Sequence, residues 1–211
     1  MAQDLPELPA EAFAKPDRSP DPLFYAQPRL VTHIDAAAIA AVTDLYRAVV
    51  PPGGVVLDLM SSWISHLPDE VAYAHVIGHG LNAAELAANP RLARHFVQDL
   101  NAQPQLPLDT ASVDAALICV SVQYLQRPVD VLSEIARVLR PGAPVVISFS
   151  NRCFPTKAVA IWSALDGTGH AQLVQLYLQR AGFARLEARV LKPEGGAGDP
   201  LTAVLGWTAT A

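Results

Sequence analysis

Between Val55 and Thr208 the chain alternates short apolar runs with amphipathic stretches, and no other feature narrows its fold as much. The first run, Val55-Val56-Leu57-Asp58-Leu59-Met60, follows Gly53-Gly54 and opens on β-branched residues. It has the composition of a strand buried on both faces. Residues 72–78, 94–99, 113–122 and 144–150 read as further strands, and 183–191 and 201–208 as two more around a Gly- and Pro-rich turn. Asp35 stands as an N-cap before a helix whose buried face carries Ile39, Val42, Leu45 and Tyr46. A short helix over 82–88 stops at Asn89-Pro90. A longer one from Arg127-Pro128 carries Val131, Leu132, Ile135, Val138 and Leu139 on one face and closes at Arg140-Pro141-Gly142. Residues 171–181 predict another. Strand–helix–strand order requires parallel strands with right-handed crossovers, and the last two strands require an antiparallel pairing. The expected architecture is α/β: a doubly wound, mostly parallel seven-stranded sheet with a terminal antiparallel strand. At 211 residues it holds one domain with one sizeable core.

Residues 1–22, with Pro6, Pro9, Pro16, Pro20 and Pro22 among charges, predict an extended N-terminal arm rather than a packed element. Residues 23–50 then supply a lid segment and the first helix, and 51–211 the sheet domain. The net charge of −5, with three lysines and no basic run, argues against a phosphate-neutralising surface, so no nucleic-acid partner is expected. No apolar run reaches the roughly 18–20 residues of a membrane span. The first residues have neither a basic nor an apolar leader segment, which predicts a cytoplasmic protein. Cys119 and Cys153 are too few for a disulfide framework or a cysteine-rich zinc site, and no metal is expected. A monomer or homodimer is expected.

In open α/β sheets ligands bind beyond the carboxyl ends of the strands, near the point where strand order reverses. That rule directs attention to Asp58–Ser62, Gly78–Asn82, Asp99–Asn101, Val120–Tyr124 and Ser150–Cys153. Val56-Leu57-Asp58, then Asp99-Leu100 with Leu106-Pro107 and Ser112-Val113-Asp114-Ala115, are joined by a longer motif. This runs Tyr124-Leu125-Gln126-Arg127-Pro128 through Leu132-Ser133-Glu134-Ile135-Ala136-Arg137-Val138-Leu139-Arg140-Pro141-Gly142. In order and spacing these stretches resemble the class I S-adenosylmethionine-dependent methyltransferases of the type 11 group over about residues 50–150. The resemblance implies a Rossmann-like fold and S-adenosyl-L-methionine as cofactor. It implies cofactor contacts from Asp58, Met60, Ser61, Ser62, Gly78, Gly80, Leu81, Asn82, Leu100 and Val120, with Asp99 on the adenine amino group. Two departures stand out. Leu59-Met60-Ser61-Ser62-Trp63 replaces the family's Gly-x-Gly loop, and Gly80 occupies the place of the acidic residue that binds the ribose, which leaves Asn82 as its substitute.

Methyl transfer from a sulfonium needs alignment more than acid–base machinery. Tyr25 and His66 are the candidates to receive a proton if the nucleophile carries one. Arg29 and His33, four apart and on one face if that stretch is helical, make residues 23–34 a candidate lid over a small anionic or hydrogen-bonding acceptor. Trp63, Tyr124, Asn151 and Arg152 complete the candidate acceptor residues. The leading expectation is methyl transfer to a small molecule. The rival is a non-catalytic binding module that keeps the fold but has lost or altered the cofactor site. A nicotinamide oxidoreductase is disfavoured, because no Gly-x-Gly-x-x-Gly follows a strand.

Overall fold

The computed structural model describes residues 5–210. Seven strands form one sheet: β1 (Val55–Leu59), β2 (His75–Gly80), β3 (Arg94–Val97), β4 (Ala115–Cys119), β5 (Pro144–Phe149), β6 (Arg185–Lys192) and β7 (Leu201–Trp207). Their order is β3-β2-β1-β4-β5-β7-β6. All pairings through β5 are parallel, and β7 enters antiparallel between β5 and β6. The expected doubly wound sheet is present, and the chain reverses its lateral direction between β1 and β4.

Alternate side chains of each strand serve opposite faces. Leu57, Leu59, Ile118, Val145 and Ile147 join the core beneath helices α4 (Pro128–Val138) and α6 (Gly167–Arg180). Val56, Ala115, Leu117, Val146 and Ala203 face α2 (Ala36–Val49) through Ala38, Val42, Leu45 and Tyr46. Complete burial of each such Leu, Ile or Val stabilises the fold by about 1.5–3 kcal/mol. Asp35 caps α2 by accepting from the Ala38 N–H. Among the described residues no helix is long and apolar enough to cross a membrane.

The boundaries depart from expectation where long-range contacts intervene. β2 starts at His75 rather than Ala72, and β4 starts at Ala115 because the Asp114 side chain accepts from the Val55 N–H. No helix forms between β1 and β2, where Pro68 falls. A short helix that the periodicity did not predict, α5 (Ala160–Ala164), precedes α6, and α6 begins at Gly167 because Asp166 caps the Gly169 N–H.

The proline-rich arm is also corrected. Its first four residues lie outside the described ones, but Leu5, Ala12 and Phe13 are buried against the α4–α6 core, with Phe13 6.2 Å from the Tyr177 ring. A turn of 3-10 helix at Ala10–Phe13 and a short α1 (Asp21–Phe24) punctuate it. Lys157, wholly buried beyond β5, ties the arm down. Its Nζ donates to the Ser19 carbonyl at 2.7 Å and lies 3.0 Å from Asp17 and 3.4 Å from Asp21. Lys15 is the second buried cation on Asp21. Replacing Lys157 with Met should lower unfolding stability by on the order of 3 kcal/mol, the low end for a broken buried pair because Lys15 still neutralises Asp21. Urea denaturation measures this, and trypsin should then cleave faster after Arg18; unchanged stability and cleavage would show that the arm is held elsewhere.

Candidate active site

A cavity of about 470 Å³ opens beyond the carboxyl ends of β1 to β4, walled on its outer side by the segment after α1 and by the loop after β5. Its floor is built around His79, a buried residue of β2. The imidazole Nδ1 accepts from the Met60 N–H at 3.1 Å, and Nε2 meets the Gln98 carbonyl at 2.8 Å. A backbone N–H can only donate and a carbonyl can only accept, so the ring is neutral with its proton on Nε2. Burial drives its pKa down to about 4. The Ser61 N–H donates to the His79 carbonyl at 2.7 Å, so the loop after β1 is sewn to β2 at two points.

This explains how the loop turns without glycine. Met60 itself takes the left-handed conformation, φ 53°, that a glycine would supply without strain. The loop then presses on β2: a Cβ at Gly80 would stand 2.5 Å from the Ser61 carbonyl oxygen. No acidic side chain fits there. Asn82 does not replace it, because its amide is spent. Oδ1 caps the N–H groups of Ala84 and Glu85 at the start of α3 (Ala83–Ala88), and Nδ2 donates to the carbonyls of Tyr25 and Ala26.

Four expected site residues lie off the cavity wall. Asp58 shares the strand face of Val56, towards α2, and sits buried beneath the loop, where its carboxylate accepts from the Ser61 hydroxyl at 2.6 Å. Gly78 is a packing glycine whose Cβ would strike the Leu92 side chain at 2.2 Å. Trp63 does not line the cavity and donates from Nε1 to the Val31 carbonyl at 3.0 Å. His66 is held by its carbonyl, which accepts from Thr43; its Nδ1 is buried with no partner among the described residues, and burial holds its pKa near 4. Met60, Ser61, Ser62, Gly80, Leu81, Asn82, Asp99, Leu100, Val120, Tyr124, Tyr25, Arg29, His33, Asn151 and Arg152 do line the cavity.

On the β4 side Val120 is left-handed at φ 45°, an unfavourable state for a β-branched residue, and is held by Ser148 and Gln123. The next residue, Ser121, is buried on the wall with a hydroxyl that finds no partner among the described residues. A buried orphan hydroxyl beside a cavity suits a hydrogen-bonding ligand. The Tyr124 hydroxyl accepts from the Phe154 N–H at 2.8 Å, and burial pushes its pKa up to about 12.

The lid contains no helix beyond Phe24, yet Arg29 and His33 both reach the cavity. It hangs from α3 and the β1 loop by hydrogen bonds: Asn82 and Trp63 as above, and Glu85 Oε1, which accepts from the Arg29 N–H at 2.6 Å while Oε2 accepts from Ser62. Glu85, Phe154 and Asp21 line the cavity without having been singled out in the sequence. Glu85 stands three residues after the N-cap Asn82, the spacing of a capping box, but its carboxylate turns to the lid instead. Phe154 directly follows the Asn151–Cys153 cluster, and Asp21 was hidden within the proline-rich arm.

The two buried titratable groups of the floor predict opposite pH slopes. Burial, only partly offset by hydroxyls of Ser61 and Ser65, raises the Asp58 carboxyl from 3.8 to about 6. Its contribution is complete below pH 3.8 and is lost as pH rises through about 6. Asp58→Asn should therefore match the parent near pH 4 and exceed it by about 1–3 kcal/mol at pH 7. His79, shifted from 6.5 to about 4, acts the other way: the unfolded chain binds its proton first, so stability falls as pH drops between those values. His79→Asn should flatten that acid limb. Urea midpoints at pH 4.5, 5.5 and 7 test both slopes; parallel curves for parent and variants would contradict them.

Comparison with known proteins follows the same geometry. The methyltransferase domain family model matches residues 60–147, from the β1 loop to within β5. A malonyl-acyl-carrier-protein O-methyltransferase of Methylococcus capsulatus is 33% identical over 95 residues, covering 41% of this chain and 34% of that protein. The chain thus spans about a third of the length of this curated relative. Among solved structures, the (4+2)-cyclase SpnF superposes with TM-score 0.60 at 16% identity, over 81% of each chain. Phosphoethanolamine N-methyltransferase 2 of Haemonchus contortus, in complex with S-adenosyl-L-methionine, gives 0.59 at 13% identity over 81% of this chain and 52% of that one. The sheet order and the ligand-sized cavity at the strand ends thus give this chain a methyltransferase-like fold, and its residues 60–147 are similar to the methyltransferase domain.

Proposed function

We propose that the protein binds S-adenosyl-L-methionine and transfers its methyl group to a small molecule in the cytoplasm. The observation that carries this reading is the convergence on one cavity of residues following four adjacent parallel strands, within the stretch that matches the methyltransferase domain. The cavity is at the small end for sites that bind drug-sized ligands, which favours a compact acceptor.

The residues present fit the cofactor. Met60, Ser61 and Ser62 supply a loop already turned by its left-handed residue, and Gly80 leaves backbone rather than side chain at the β2 end. Asp99, Leu100 and Val120 form the next wall, and the orphan Ser121 hydroxyl offers a hydrogen bond. When bound, the cofactor supplies an electrophilic methyl carbon on a sulfonium that is its own good leaving group. The protein's part is alignment and exclusion of water. The lid closes the outer side through Asn82, Glu85 and Trp63. Burial keeps the Tyr25 and Tyr124 phenols protonated, so neither is a base at neutral pH. His33, neutral because burial lowers its pKa, takes the proton-accepting role first expected of His66.

The missing ribose carboxylate favours a second reading, a binding module of the same fold with an altered cofactor site. Calorimetric titration with S-adenosylmethionine and S-adenosylhomocysteine separates the two. Binding of both is expected, with Asp99→Ala weakening it by about 1–3 kcal/mol through loss of a charge-assisted hydrogen bond. Neither heat nor a thermal shift at saturating cofactor would leave the binding-module reading in possession.

A further inference from the structure

The acceptor half of the cavity has a chemistry of its own. Tyr25, Tyr124 and Phe154 bring three rings together there: Tyr25 lies 6.5 Å from Tyr124 and 6.2 Å from Phe154, both edge-on, and Tyr124 stacks on Phe154 at 6.0 Å. The His33 ring meets Phe154 edge-on at 5.5 Å. The Arg29 guanidinium rides on this cluster, 5.4 Å from the Phe154 centroid, 5.7 Å from Tyr25 and 4.6 Å from Phe24. Stacking on ring faces fixes the plane and direction of a guanidinium.

Arg29 is also unspent. One Nη2 hydrogen goes to the Phe24 carbonyl at 2.9 Å, and Nη1 makes a long contact of 3.5 Å with the Gln27 carbonyl. Among the described residues the rest of its five N–H donors find no acceptor, and no carboxylate forms an ion pair with it. The nearby Glu85 takes the Arg29 backbone N–H and the Ser62 hydroxyl and leaves the guanidinium alone. A half-buried cation that avoids an available carboxylate, beside a cluster of rings, is matched by a flat ligand with its own negative group.

We propose, building on the methyl-transfer reading, that the acceptor subsite recognises a small aromatic carboxylate, its carboxylate on the Arg29 guanidinium and its ring against Tyr25, Tyr124 and Phe154. A planar ring matches the edge-on and stacked geometry of these walls. The carboxylate matches the fork of donors that Arg29 leaves open.

The test is calorimetric titration of the full chain, saturated with S-adenosylhomocysteine, with benzoate, benzamide and cyclohexanecarboxylate. Benzoate should bind at least tenfold more tightly than benzamide, which lacks the charge, and than cyclohexanecarboxylate, which lacks the flat ring. Arg29→Gln should abolish the preference over benzamide, Arg29→Lys should restore part of it, and Phe154→Leu should erode the preference over cyclohexanecarboxylate. Thermal unfolding checks that each variant is folded; the Arg29 backbone N–H that anchors the lid survives both substitutions at that position. Equal binding of benzoate and benzamide, or a preference that persists in folded Arg29→Gln, overturns the proposal while leaving methyl transfer intact. Benzoate preference without any S-adenosylhomocysteine binding upholds the carboxylate site and overturns the methyl-transfer reading.

Discussion

The neutral imidazole of His79 joins the carboxyl ends of three neighbouring strands: it accepts from Met60 after β1, belongs to β2, and donates to Gln98 after β3. The floor of the cavity takes its shape from that bridge. It holds Met60 in a left-handed turn, draws the Ser61 carbonyl against Gly80, and sets Ser61 and Ser62 on the cavity wall. A glycine loop reaches such a turn because it lacks a Cβ; here a side chain outside the loop imposes the turn instead. Tight approach of the loop to β2 then forbids a side chain at position 80, so the two departures from the family pattern have one physical cause.

The same logic extends outward. With the β1 loop fixed, Ser62 and Trp63 stand where they meet Glu85 and the Val31 carbonyl, and α3 presents Asn82 to the lid. The lid is held by polar bonds to its backbone, while Leu23, Leu30 and Val31 remain largely exposed. Its apolar anchorage is confined to Ile34 and to the rings of Phe24, Tyr25 and His33, which pack on Phe154 and Tyr124. The buried Lys15–Asp21–Lys157 group anchors its other end, so the segment runs between that clamp and the β1 loop.

Charge is divided across the cavity. Glu85 and Asp99 lie on the side of α3 and the strand ends, while Arg29 and Arg152 lie on the lid and the loop after β5. A low-dielectric site strengthens both signs, and in the proposed reaction a cationic donor beside an anionic acceptor would lose charge separation as the methyl group passes. Such a reaction asks the protein for orientation and dryness rather than for a strong base, which accords with phenols held protonated and histidines held neutral.

The sequence by itself determined the order of strands and helices, the doubly wound sheet with its antiparallel strand, and the segments that reach the cavity. These follow from local spacing: apolar periodicity, caps and turns fix the elements, and parallel crossovers carry their carboxyl ends to one edge. Local spacing did not say which side chains face inward. Asp58 turns to α2 by strand parity, Gly78 makes room for Leu92, and His66 lies off the cavity wall. Only the tertiary structure decided that an arm rich in proline packs through Leu5 and Phe13, or that Glu85 meets Arg29 from 56 residues away. Such contacts depend on the final packing of distant segments, and no periodicity within either segment records the partner it will meet.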